Sequence, residues 1–104
     1  MIRINYERTG NRHRLAAQGH AGYATHGNDI VCAGVSALSY SLLGYLYNTD
    51  AEISEARTDS GDLLIDATGD QMTAGAFDMA MVGYLQIAKK YPQYVDVSIA
   101  SIGG

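Results

Sequence analysis

From Met1 to Tyr6 apolar and polar residues alternate, with Ile2, Ile4 and Tyr6 on one side and Arg3 and Asn5 on the other. A period of two predicts a half-buried strand. Thr9-Gly10-Asn11 is a turn signal. From Arg12 to Gly19 the alternation resumes, setting Leu15 and Ala17 opposite Arg14, Ala16 and Gln18. The two runs predict a hairpin, with His13 a solvated residue of its second strand. Gly19 to Gly27 carries three glycines in nine residues and reads as a loop. Asn28 is expected to cap the helix that follows, at about 29–48, with Asp29 adding negative charge to its first turn. Gly34, Ala37, Ser41 and Gly44 make a small-residue stripe for close packing, while Cys32, Ser36, Ser39 and Leu43 fall on another side. Tyr40, Tyr45 and Tyr47 are expected in the core or at a subunit interface.

The second half repeats this rhythm. Ala51–Thr58 and Leu63–Thr68 read as strands joined by the turn Asp59-Ser60-Gly61-Asp62. Gly69-Asp70 opens a second helix, whose Met72, Met79 and Met81 are expected to pack. Lys89-Lys90-Tyr91 before Pro92 is the stop signal. Tyr94–Ala100 alternates through Val95, Val97 and Ile99 and predicts a last strand. The order ββαββαβ places the chain in the α+β class, with a mostly antiparallel sheet and two helices.

Composition narrows the reading. A chain of 104 residues suits one domain, 1–104, and 47% hydrophobic residues supply a core. A net charge of -4 with few clustered basic residues argues against nucleic-acid binding. Ile30–Thr49 has 20 residues without a charge, enough to span a bilayer. It also holds three serines, three tyrosines, two glycines and an asparagine, so a helix buried on most sides of a small domain is the better expectation, without a membrane role. The single cysteine excludes an internal disulfide and suits a reducing, cytoplasmic setting. The first residues also lack the basic stretch and apolar run of a signal peptide.

That cysteine is also the best candidate for chemistry. Cys32 falls near the start of the first helix, where unpaired amides and the helix dipole favour negative charge on sulfur. His20 opens the glycine loop that returns the chain to this helix, so the two can meet as an activated nucleophile and its base. The plainer alternatives are a small buried cysteine and a loop histidine satisfied by backbone groups. Asp29 either supports the helix start or orients His20. Ser36 lies one turn after Cys32, and its plainer role is a bond to a backbone carbonyl. His20, His26 and Cys32, spaced six and six, could instead hold Zn²⁺ in a metal-binding module, although the spacing matches no common zinc pattern. No GxGxxG or GxxxxGK is present, which argues against a nucleotide site.

Gly19-His20-Ala21, followed by Asp29-Ile30-Val31-Cys32-Ala33-Gly34-Val35-Ser36-Ala37-Leu38, resembles the signature of the ribosomal-processing cysteine protease (Prp) family, with the histidine and cysteine twelve residues apart. The resemblance implies a homodimeric bacterial cysteine endopeptidase that removes the N-terminal extension of a large-subunit ribosomal protein without a cofactor. By motif match Cys32 is the nucleophile and His20 the general base, with Asp29, Ser36 and Gly19 supporting. The amides of Cys32 and Ala33 are expected to hold the oxyanion, and Gly22, Tyr23, His26 and Gly27 to form a substrate loop. An acidic protease would meet a basic ribosomal protein favourably. A non-catalytic ribosome-associated dimerisation domain of the same fold is the remaining alternative.

Overall fold

The computed structural model describes residues 1–102. Its elements are β1 (Ile2–Thr9), β2 (Arg12–Gln18), α1 (Ile30–Tyr47), β3 (Glu52–Asp59), β4 (Asp62–Thr68), α2 (Gln71–Lys90) and β5 (Val95–Ile102). The order is ββαββαβ, as the alternation predicts, with boundaries displaced by a residue or two. The five strands form one sheet in the order β3-β4-β2-β1-β5. Both hairpins are antiparallel and β2 also pairs antiparallel with β4, whereas β5 joins β1 in parallel.

Strand periodicity puts Ile2, Ile4, Tyr6, Leu15, Ala17, Leu63, Ile65 and Ala67 on one face, where they are buried against α1 and α2. Leu42 and Leu46 of α1 and Phe77 and Tyr84 of α2 complete the core. The helices approach closely where Gly83 faces Leu38 and Gly34 faces Ile87. Ser39 donates to the carbonyl of Val35 at 2.7 Å, so the buried Tyr84 hydroxyl donates to Ser39 Oγ at 2.6 Å. Burial pushes the Tyr84 phenol up to about 12. On the opposite face Asp66 is buried beneath Arg12 (3.0 and 2.7 Å) and Arg14 (2.8 Å). The hydrogen bond from Arg12 leads the interactions that hold its carboxyl below the ordinary value.

Several expectations change. Helix α1 is apolar enough to cross a membrane by length and composition, but it is buried along one side, through Val31, Val35, Ser39, Leu42, Leu43 and Leu46, rather than on most sides. Tyr40, Tyr45 and Tyr47 are exposed and outside the core. Of the small-residue stripe, Gly34 serves helix contact, whereas Ala37, Ser41 and Gly44 face outward. Met81 packs as expected, but Met72 and Met79 are exposed. The largest correction is His13, which is fully buried. In β2 it shares parity with Leu15 and Ala17, so the pleat directs it inward. There its Nδ1 lies 2.6 Å from the Tyr6 hydroxyl and its ring stacks on Phe77 at 4.7 Å between centroids. Nε2 has no partner among the described residues.

Candidate active site

The end of β2, the start of α1 and the β3–β4 turn meet around a cavity of about 320 Å³. Cys32, Ser36 and Tyr40 line it from α1, Gly19 and His20 from the end of β2, and His26 from the loop. The strand order explains the convergence. Because β4 pairs with β2, Gln18 lies opposite Asp62, and the β3–β4 turn comes to stand beside His20.

Asp29 organises the helix start. It is the N-cap, correcting the assignment of Asn28, and has extended backbone. Its Oδ1 accepts from the amides of Val31 and Cys32 at 3.0 Å each. Its Oδ2 accepts from Tyr23 at 3.0 Å and Ala24 at 3.3 Å. One carboxylate thus caps the helix and fastens the loop to it. Burial raises its carboxyl, but the amides of Cys32, Ala24, Tyr23 and Val31 together hold it below the ordinary value. Asn28 instead closes a local turn with Thr25. The four amides on Asp29 also define its role. It supports the helix and the loop, and makes no hydrogen bond to His20 among the described residues.

Cys32 is partly buried, and its Sγ accepts from the Ala21 amide at 3.4 Å. His20 is exposed, and no hydrogen bond joins it to Cys32 among the described residues. The expected oxyanion donors are both engaged. The amide of Cys32 is held by Asp29 Oδ1, and that of Ala33 donates to the Asp29 carbonyl at 3.0 Å. The cap and the first helical bond therefore remove them as free donors. Of the expected substrate loop, His26 lines the cavity. Tyr23 packs edge-on against Tyr91 and Tyr94, at 5.5 and 5.3 Å between centroids. Gly22 and Gly27 adopt positive φ, 72° and 91°, and serve the path of the loop. His20, His26 and Cys32 share the cavity, but no group of three metal-ligating side chains converges among the described residues.

The sequence reading missed the far wall of this cavity, formed by Thr58, Asp59, Ser60, Gly61 and Asp62. Their local signal, Asp-Ser-Gly-Asp, specifies a hairpin turn, and nothing local says which histidine it will face.

Comparison with known proteins gives a consistent result. A family model described as cysteine protease Prp matches residues 1–96. The chain is 31% identical over 100 residues to the ribosomal processing cysteine protease Prp of Mycoplasma genitalium, covering 94% of this chain and 95% of that protein. It is 32% identical over 89 residues to the protein of the same name from Mycoplasma pneumoniae, covering 84% and 87%. In fold it resembles the ribosomal processing protease Prp from S. aureus in complex with a covalently linked product peptide, with a TM-score of 0.87, 20% identity, and 95% and 99% of the two chains covered.

Proposed function

The chain belongs to the Prp family of cysteine proteases, and from that premise we propose that it is a cytoplasmic endopeptidase that removes the N-terminal extension of a large-subunit ribosomal protein with a Cys32–His20 dyad. The observation that carries this reading is that Cys32 and His20 line one open cavity at the start of a capped helix. The names of the two Mycoplasma relatives support ribosomal processing as the task. A homodimer belongs to the same reading, and the exposed Tyr45, Met72, Met79 and Val82 offer apolar surface for it.

In the proposed reaction, His20 takes the proton from Cys32 Sγ and the thiolate adds to the scissile carbonyl. The Ala21 amide, already directed at Sγ, stabilises negative charge there. As the tetrahedral adduct collapses, the C–N bond breaks and His20 returns its proton to the leaving amine. Water, deprotonated by His20, then releases the acyl group and restores the thiol. Asp29 keeps the loop and helix in register, and Ser36 and Gly19 shape the cavity beside the dyad. His26 stands where it can contact the peptide.

The test is a synthetic peptide spanning the extension and the first mature residues of the ribosomal protein, incubated with wild type and Cys32→Ala and read by mass spectrometry. Cleavage by wild type alone, blocked by iodoacetamide and unaffected by chelator, is expected. An uncut peptide would overturn the substrate. Equal cutting by Cys32→Ala would overturn the nucleophile.

A further inference from the structure

The far wall of the cavity bears directly on the imidazole. Gly61, in the β3–β4 turn, has φ of 71°. A Cβ placed on it would stand 2.6 Å from His20 Nε2, 3.0 Å from Cε1 and 3.3 Å from Cδ2. Real Cβ atoms do not approach other atoms that closely, so the outer edge of the ring occupies space that any residue but glycine would fill. The two segments are also joined through the backbone, where the Gly19 amide donates to the Gly61 carbonyl at 2.9 Å. Gly19 is fixed in turn. It has φ of 98°, and a Cβ there would collide with the carbonyl oxygen of Met1. His20 is thus held from the main chain below and seated against the bare Cα of the turn in front.

We infer that Gly61 is a positioning residue for the proposed reaction: its missing side chain is the seat of the His20 imidazole, and the β3–β4 turn sets where that ring lies relative to Cys32. The inference deepens the dyad reading and rests on it. It also gives the turn a role beyond closing a hairpin, since moving Gly61 moves the base. The charged and titratable neighbours that share the cavity with the ring are His26, Cys32, Tyr40, Asp59 and Asp62. Asp62 is paired with Arg57 at 2.9 Å.

A second hairpin supplies the control. Gly10, in the β1–β2 turn, has φ of 58°, and a Cβ there would meet nothing within 4 Å. Gly61→Ala and Gly10→Ala therefore impose the same left-handed strain, and Gly61→Ala alone crowds the imidazole. Wild type and both variants are to be compared by the His20 ring Cε1–H resonance across a pH titration, assigned with His20→Gln, and by kcat and KM for peptide cleavage. A displacement of about 1 Å at a catalytic group can lower a rate by about a hundredfold.

The expected result is a shifted His20 resonance and titration in Gly61→Ala alone, with kcat at least about tenfold lower and KM within about threefold of wild type. A Gly61→Ala resonance that matches Gly10→Ala overturns the inference. So does a shifted resonance with kcat unchanged, because the seat then has no bearing on catalysis. If wild type cuts no peptide, the proposed function fails while the resonance comparison still decides whether Gly61 seats the ring.

Discussion

His13 and His20 belong to the two ends of one strand and share almost nothing else. His13, at the start of β2, is sealed between Tyr6 and Phe77, with one nitrogen bonded and the other without a partner among the described residues. His20, just past the end of β2, is exposed at the rim of a cavity that also holds the cysteine. The comparison shows that a histidine's use is set by where the pleat and the strand end place it. One is an aromatic plate of the core, and the other is exposed beside Cys32, where the proposed reaction uses it as the base.

Exchanging the losses breaks the comparison most directly. His20→Ala should lower kcat/KM for the extension peptide by about a thousandfold, the range expected of a general base. Its unfolding free energy should stay within about 0.5 kcal/mol, as for an exposed side chain. Steady-state kinetics and urea unfolding check the two halves separately. His13→Ala should do the reverse. Emptying the site between Tyr6 and Phe77 should cost about 3 kcal/mol in urea unfolding, while kcat of the folded fraction stays near wild type. A folded His13→Ala protein without activity would show that the two ends are coupled.

Asp29→Ala should affect both quantities, because the carboxylate joins helix to loop. The lost cap and the released Tyr23 and Ala24 amides should cost about 2 kcal/mol in urea unfolding. kcat should fall with it, since His20 and the Ala21 amide lie on the loop that it fastens.

The smallest effect is on pH dependence. Burial, with a lesser contribution from Arg8 and against an opposing one from Asp78, holds His13 below the ordinary histidine value. Below about pH 6.5 the unfolded chain takes up a proton at His13 that the native site refuses. Stability from this group is therefore complete above that value and declines as pH falls toward the depressed native one. His13→Phe should flatten the decline in unfolding free energy between about pH 7 and about pH 5. It should leave the later acid loss, where the lowered carboxyls of Asp29 and Asp66 become protonated. An unchanged slope would place the decline elsewhere in the protein.

Much of this was legible in order along the chain. Alternation in Ile2–Tyr6 and in Leu15–Ala17 marked the strands, Gly10 and Gly61 marked their turns, and Asp29 and Asp70 stood where helices begin. The same alternation carries His13 inward, so that its burial follows from a rule the sequence already displayed; the polar side chain obscured it. Cys32 and His20 were legible through the motif around them. The capping role of Asp29 was only half visible, because Asn28 and Asp29 are adjacent in sequence and the backbone decides whether the amide or the carboxylate side chain meets the free N–H groups.

The sequence by itself determined what is local here: strand and helix periods, turn glycines, and a cysteine beside a helix start with a histidine in the loop before it. These depend on neighbours a few residues away, whose spacing is fixed by the geometry of the chain. Tertiary structure decided what depends on partners far apart. Pairing β2 with β4 brought Gly61 to the His20 ring, and joining β5 to β1 set Tyr94 where Tyr23 packs. No local signal encodes those meetings, because strand order emerges only when both hairpins bury their apolar faces under the same two helices.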